Sequence, residues 1–191
     1  DVAGKGVPAS LFMAIAKTLA KSIASRVDQG LGVITTLANQ ELSRENAEQL
    51  FVTLLIGILD LESGELSLVN AGHDGPWRVS ADGRVEQITC PTDAGGPPLC
   101  VIDDFSYVAQ KLSLSPGDTL CLITDGVTEA MNVQHEQYGA KRLESVLQTT
   151  DGKALPPEVV ARLKESLAAF VGQAEASDDM TMLVLRWAGR K

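Results

Sequence analysis

Apolar residues recur with helical spacing near both ends of the chain. In the first segment they occupy every fourth position from Leu11 to Ile23, whereas Lys17 and Lys21 fall on the opposite side. This spacing is typical of an amphipathic helix, and Pro8 suits its first turn. The pattern predicts helices over residues 7–27, 31–45, 140–148 and 157–171.

The segments between these helices carry short apolar runs of strand length, separated by turn residues. Asp82-Gly83 is a dipeptide favoured in tight type I′ hairpin turns, and the Gly- and Pro-rich residues 91–104 are expected to form an ordered loop. Helices on either side of consecutive antiparallel hairpins indicate an α+β fold. The pattern predicts strands over residues 51–59, 65–69, 77–79, 84–88, 105–114, 119–123 and 180–187.

The composition fits one globular domain over residues 1–191. Of the 191 residues, 45% are hydrophobic, which is enough for a sizeable core. The net charge of −9 argues against binding to nucleic acid or to an anionic lipid surface. No uninterrupted apolar run approaches the roughly 20 residues of a membrane-spanning helix, so we expect no membrane insertion of this domain.

Cysteine and histidine usage does not indicate a disulfide framework or a zinc site. The three cysteines, Cys90, Cys100 and Cys121, lack a C-x-x-C spacing, and the chain has two histidines. This usage is typical of the reducing cytoplasm. For His73, structural hydrogen bonding is favoured over catalysis.

Acidic residues stand beside glycines or in pairs at the ends of predicted strands. Asp125 follows an apolar strand and precedes Gly126, while Asp178 and Asp179 precede the last strand. Carboxylates without His or Cys are the ligands that Mg²⁺ and Mn²⁺ prefer, and adjacent carboxylates repel unless a cation or donors offset them. The alternatives are a turn or helix-cap role for Asp125 and ordinary solvation for Asp178 and Asp179.

Asp1 opens a glycine-rich segment, Asp1-Val-Ala-Gly-Lys-Gly6, that leads into the first helix. The segment lacks the pattern G-x-x-x-x-G-K-[ST], so a strand-to-helix turn that presents Asp1 is preferred over a nucleotide P-loop. Because the sequence begins inside this motif, we expect further residues upstream of Asp1 in the native protein.

Four segments, taken in order, resemble the PPM-type (type 2C) metal-dependent Ser/Thr protein phosphatases. They are residues 1–9, 51–74, 117–132 and 178–181, and the resemblance covers nearly the whole chain. It is closest to the bacterial branch typified by stage II sporulation protein E and the stress-response sigma-factor phosphatases. The fold that the resemblance implies is an α-β-β-α sandwich of two antiparallel sheets flanked by helices, with the N-terminal part missing.

The resemblance also implies two Mn²⁺ or Mg²⁺ ions at one edge of the sheets. Carried over residue by residue, Asp1 would bridge both ions and the Val2 carbonyl would bind one of them. Asp125 and Asp178 would hold the other ion. Asp179 and Gly126 would lie next to these ligands without binding the ions themselves.

Three departures from the family pattern concern the start of the chain and the loop at Cys100. The family's earlier aspartate, in a Gly-Gly-Asp motif, would precede Asp1, and an α-ammonium at Asp1 would place positive charge beside the metals. Cys100 stands where a glycine is usual after Pro-Leu, which would stiffen that loop.

The function that the resemblance implies is hydrolysis of phosphoserine or phosphothreonine by a water activated between two metals. The implied substrate is a STAS-type anti-sigma-factor antagonist in the cytoplasm, with a sensory or receiver module upstream, and a homodimer is compatible with this scheme. The alternatives are a catalytically inactive PPM-fold binding module and a metal-dependent hydrolase of small phosphoesters.

Overall fold

The computed structural model describes residues 1–26, 29–44, 46–175 and 178–190. The predicted ends at residues 27, 45 and 191 lie outside the described residues. The helices are α1 (Val7–Arg26), α2 (Leu31–Arg44), α3 (Asp125–Thr128), α4 (Gly139–Gln148) and α5 (Pro156–Val171). The strands are β1 (Leu54–Leu59), β2 (Glu65–Ala71), β3 (Trp77–Val79), β4 (Val85–Gln87), β5 (Gln110–Ser113), β6 (Thr119–Ile123) and β7 (Met182–Arg186).

The chain forms two compact units, and the first contains Asp1–Asp60, Glu65–His73 and Cys90–Ser113. Its antiparallel sheet has the strand order β1-β2-β5, and α2 packs against both β2 and α1. α1 contributes Phe12 and Ala16 to a core shared with α2 and the sheet, whereas Leu11 and Ile15, which the sequence pattern placed on its apolar side, are exposed. This core contains Phe12, Leu31, Leu42, Val52, Val69 and Tyr107.

The second unit contains Leu61–Gly64, Asp74–Thr89 and Leu114–Lys191. Its antiparallel sheet has the strand order β4-β3-β6-β7, with α5 packed on β7 and α4 packed on α5 and β4. Its core contains Val79, Cys121, Tyr138, Leu143, Leu163 and Leu167. Two antiparallel sheets with their helices confirm the predicted α+β class, while the assignment of residues 1–191 to a single domain stays a prediction.

Strands β1 and β5 begin later than predicted because other contacts take the backbone groups of the residues before them. Val52 forms bridges with both Val2 and Leu99 instead of extending β1. Residues 105–109 lie beneath α2, where the Tyr107 N–H donates to the Thr36 hydroxyl at 2.9 Å. The predicted strand over 105–114 therefore begins only at Gln110.

The expectation of a type I′ turn at Asp82-Gly83 is wrong. A type I′ turn needs positive φ at both central residues, and Gly83 has φ +88 whereas Asp82 is not in the left-handed region. The Gly83 N–H donates to the Ser80 carbonyl and the Ser80 N–H to the Arg84 carbonyl, both at 2.8 Å. The connection is therefore a longer turn that ends at a left-handed glycine.

Within the described ranges, α1 is the one helix with the length and apolar composition to cross a membrane. A core helix of a globular protein and a signal sequence meet the same two criteria. The observation therefore assigns no membrane role to α1, and the expectation of no membrane insertion stays a prediction.

Candidate metal and catalytic site

The second unit brings together the strand ends that carry Asp125 and Asp178. Strands β6 and β7 pair antiparallel, with Ile123 opposite Met182 at the end of the ladder. The chain leaving β6 and the chain entering β7 therefore lie side by side. Two sequence motifs that are more than 50 residues apart thus share one edge of the sheet.

The hydroxyl of Thr124 joins these two segments beyond the ladder. It accepts the Thr181 N–H at 2.9 Å and donates to the Asp179 carbonyl at 3.3 Å. The Thr124 N–H also donates to the Thr181 carbonyl at 3.1 Å. Thr124 was not singled out from the sequence, although its position in Thr-Asp-Gly is the signal that could have identified it.

Gly126 allows the Asp178 and Asp179 backbone to pass next to α3. A β-carbon at residue 126 would overlap the Asp179 carbonyl oxygen and would lie 3.5 Å from the Asp178 β-carbon. The Asp178 carboxylate accepts the Asp179 N–H at 2.8 Å, so its orientation is set locally. Asp125 is the first residue of α3 and is half-buried, whereas Asp178 and Asp179 are exposed.

The first unit holds Asp1 and Val2 in a short antiparallel pairing that precedes β1. The Asp1 nitrogen donates to the Thr53 carbonyl and the Thr53 N–H donates to the Asp1 carbonyl, both at 2.8 Å. In antiparallel pairing the intervening residue directs its N–H and C=O away from the partner strand. The Val2 carbonyl therefore points away from Val52, and the Val2 N–H donates to the Asp1 carboxylate at 2.9 Å.

His73 lies beside this pairing. Its Nδ1 is 2.8 Å from the Thr53 hydroxyl, and its backbone N–H donates to the Asn70 side chain at 2.8 Å. The Nδ1 contact is a hydrogen bond of the imidazole, and the preference for a structural over a catalytic role of His73 stays a prediction. Thr53, which joins His73 to the Asp1 segment, was not singled out from the sequence.

The donors present fit a hard divalent cation by their chemistry. They are carboxylates and a backbone carbonyl, the oxygen ligands that Mg²⁺ and Mn²⁺ take together with water. Among the described residues, no three His, Cys, Asp or Glu side chains form a group that could hold a metal ion. The roles of Asp1, Val2, Asp125 and Asp178 as ligands, with Asp179 and Gly126 behind them, stay predictions.

Another pair of adjacent acids and the three cysteines lie elsewhere. Asp103 and Asp104 are exposed in the loop before β5. Cys90, Cys100 and Cys121 are free thiols, respectively exposed, half-buried and buried. Cys100 has φ +68, so it adopts the left-handed conformation that a glycine would adopt without strain.

The fold is that of a PP2C-type phosphatase domain. It aligns with a structure of the RsbU and RsbW domains of Rv1364c from Mycobacterium tuberculosis at a TM-score of 0.78 and 23% identity, covering 100% of this chain and 51% of that one. The SiaA-PP2C domain of Pseudomonas aeruginosa aligns at a TM-score of 0.77 and 22% identity, covering 97% and 72% of the two chains.

The chain belongs to the stage II sporulation protein E (SpoIIE) family, whose model matches residues 1–188. It is 25% identical to the phosphoserine phosphatase RsbU of Bacillus subtilis, over 97% of this chain and 53% of the relative. It is also 25% identical to protein IcfG of Synechocystis sp., over 97% of this chain and 32% of the relative. The chain thus spans about a third to a half of the length of these relatives.

Proposed function

We propose that this domain is a metal-dependent protein phosphatase that hydrolyses phosphoserine or phosphothreonine on a regulatory protein. The observation that carries the proposal is the joining of the Asp125 and Asp178 segments at one sheet edge, through Thr124 and the close approach at Gly126. Membership of the SpoIIE family and the PP2C fold support this assignment.

The proposed reaction transfers the phosphoryl group from the serine or threonine oxygen to water. The ester P–O bond breaks, a bond from the water oxygen to phosphorus forms, and the departing side-chain oxygen takes up a proton. The chemistry that bound Mn²⁺ or Mg²⁺ would supply is activation of the water nucleophile at neutral pH and compensation of the charge on the phosphoryl oxygens. A structure of the relative RsbX contains magnesium.

The chain's own residues bind and orient the reacting groups in this scheme. Asp1 would serve as the ligand shared by the two ions, with the Val2 carbonyl as a further ligand, and Asp125 and Asp178 would also bind metal. The Asp179 N–H fixes the Asp178 carboxylate, and Gly126 leaves room for that segment. With a net charge of −9, the chain depends on the cations to attract a phosphorylated substrate.

The substrate that this proposal favours is a phosphorylated STAS-type anti-sigma-factor antagonist. Its support is the similarity to RsbU and to the RsbU domain of Rv1364c. The proposal includes a cytoplasmic location, a single domain over residues 1–191, and a sensory or receiver module in the upstream part of the full-length protein. Homodimer formation belongs to the same scheme.

The test is Mn²⁺-dependent phosphate release from a phosphoserine STAS-type protein, measured for the chain with its native upstream residues. Asp125→Asn should abolish release while its circular dichroism spectrum and urea unfolding stay unchanged. The matched control is Glu129→Gln, because Glu129 is an exposed acid one helical turn away. Release unchanged in Asp125→Asn would refute the metal assignment, and release from free phosphoserine alone would favour a small-phosphoester hydrolase.

A binding module without catalytic activity is the second candidate. It is favoured by the finding that the described residues contain no group of three metal-binding side chains. A folded wild-type chain that binds the STAS-type protein, but releases no phosphate with Mn²⁺ supplied, would establish this second function.

A further inference from the structure

Asp1 and His73 are connected through a single residue of the first unit. Thr53 forms two main-chain hydrogen bonds with Asp1, and its hydroxyl lies 2.8 Å from His73 Nδ1. One residue thus contacts the proposed bridging ligand with its backbone and the imidazole with its side chain.

The position of His73 is set by the β1–β2 hairpin and by the turn that follows it. Leu54 pairs with Ala71 at the end of the ladder, so the chain after Ala71 emerges beside Thr53. Gly72 then reverses the chain with φ +69, packed so closely that a β-carbon there would lie 2.5 Å from the Pro98 ring. A residue with a β-carbon could not adopt this conformation here without displacing Pro98.

Asn70 fixes the backbone on either side of the imidazole. Its side-chain Nδ2 donates to the His73 backbone carbonyl at 2.7 Å, and its side-chain Oδ1 accepts the His73 backbone N–H at 2.8 Å. These paired hydrogen bonds limit the directions available to the His73 side chain. The imidazole therefore reaches Thr53 from an anchored position.

The Asp1–Thr53 pairing needs such support because it belongs to an isolated bridge outside the named strands. Isolated pairs open more readily than pairs within a ladder, since fewer neighbouring contacts hold them. The hydrogen bond between the Thr53 hydroxyl and Nδ1 also restricts the χ1 rotation of Thr53, which is β-branched. Opening of this pair would move the Asp1 carboxylate and the Val2 carbonyl together.

We propose that His73 is a positioning residue for the metal ligand Asp1, acting through Thr53. This inference rests on the proposed function, since it concerns the same metal site. Groups that orient metal ligands from outside typically contribute about 10- to 100-fold to metal affinity. Because His73 acts through an intervening residue, we expect a loss of about tenfold on its removal.

The experiment measures Mn²⁺ binding by electron paramagnetic resonance, together with the rise in Tm that Mn²⁺ produces over EDTA. His73→Ala should weaken Mn²⁺ binding about tenfold and reduce this rise in Tm. His73→Asn should restore both, because the asparagine amide can occupy the position of Nδ1. His73→Gln, whose amide would lie nearer the position of Nε2, should restore less.

A double-mutant cycle with Thr53→Val tests whether the effect passes through Thr53. If it does, the double variant should bind Mn²⁺ about as weakly as either single variant, because both remove the same hydrogen bond. The matched control is His135→Asn, since His135 is exposed in the second unit at φ +61, a conformation that asparagine tolerates.

The outcomes separate this inference from the proposed function. If the wild type binds Mn²⁺ and His73→Ala binds it with the same affinity, the positioning role is overturned and the phosphatase proposal stays intact. Additive losses in the double variant would also overturn it. A folded wild-type chain that does not bind Mn²⁺ would overturn both proposals.

Discussion

Gly126 and Asp179 are in direct backbone contact, and a methyl group on Gly126 would overlap the Asp179 carbonyl oxygen. Residues 125–128 form the short helix α3 directly after β6, while Asp179 lies before β7. The contact therefore joins the two acidic motifs of the second unit through their main chains.

Gly126→Ala should destabilise the domain and weaken Mn²⁺ binding. The added methyl group cannot be accommodated without moving the Asp178 and Asp179 backbone, and overpacking of this kind costs about 1–3 kcal/mol. Urea unfolding gives the stability and electron paramagnetic resonance gives the bound Mn²⁺. Gly30→Ala is the control, because nothing lies within 4 Å of a β-carbon at Gly30; equal results for both variants would contradict this prediction.

Asp178→Asn should lose Mn²⁺ affinity by more than about tenfold while the turn that contains it is retained. An asparagine keeps the oxygen that accepts the Asp179 N–H but removes the negative charge. Asp179→Asn should have a smaller effect because Asp179 is not proposed as a direct ligand. Titration of Mn²⁺ into each variant measures the affinity. Asp104→Asn is the control, because Asp104 is exposed in a different loop. A larger loss of affinity in Asp179→Asn than in Asp178→Asn would show that Asp179, and not Asp178, is the ligand.

Gly64→Ala should cost more stability than Gly139→Ala, although both glycines have φ +78. Both variants carry the strain of a side chain in the left-handed region, about 1–2 kcal/mol. In Gly64→Ala alone the new β-carbon would lie 2.5 Å from the Trp187 ring, whereas nothing lies within 4 Å at Gly139. Urea unfolding should show an additional loss of about 1–3 kcal/mol for Gly64→Ala.

Equal losses in the two glycine variants would show that Trp187 does not pack against Gly64. Fluorescence of Trp187 offers an independent readout, because its indole N–H donates to the Leu61 carbonyl at 3.1 Å. Displacement of the ring in Gly64→Ala should shift its emission, whereas Gly139→Ala should leave the emission unchanged.

Alkaline pH should destabilise the fold through Cys121. Burial raises the pKa of the Cys121 thiol from 9.0 to about 12. Because the folded chain favours the protonated thiol, the stabilising contribution is complete below pH 9 and is lost as the pH rises toward about 12. The free energy of unfolding should fall in this window by at most about 1.4 kcal/mol per pH unit from this group.

Urea unfolding at neutral pH and at about pH 10.5 checks the alkaline prediction. The decrease between the two should be smaller in C121A than in the wild type. C90A should keep more of it than C121A, because Cys90 is exposed, although burial and Asp93 also raise the pKa of the Cys90 thiol. Burial also raises the pKa of Tyr107 to about 12, so a residual decrease is expected in C121A. An identical decrease in all three proteins would contradict the role of Cys121.

The helices were the most predictable part of the fold. α1 and α5 repeat apolar residues with a period that is a local property of the chain, and their starts at Val7 and Pro156 lie within one residue of the prediction. Strand ends were less predictable. The strand predicted from residue 51 begins as β1 only at Leu54, since Val52 pairs with residues distant in sequence.

Among the acidic residues near the candidate site, too, the sequence pattern alone does not give the environment of each side chain. Asp118 and Asp125 both lie beside a glycine and border β6, but Asp118 is buried and accepts the N–H groups of Ala81 and Ser115. Asp118 therefore serves as a structural hydrogen-bond acceptor, whereas Asp125 lies at the edge shared with Asp178. The sequence pattern near each acid does not distinguish these two environments.

Local spacing and motif order in the amino-acid sequence were sufficient to establish the α+β class, the family and the acidic candidates. The contacts among those candidates required the folded chain. Thr124 meets Asp179 across 55 residues and Thr53 meets His73 across 20, because strand pairing brings distant segments into hydrogen-bond range. Such pairing depends on which strands meet and in which register, and on close approaches at Gly72 and Gly126 that appear only in the folded chain.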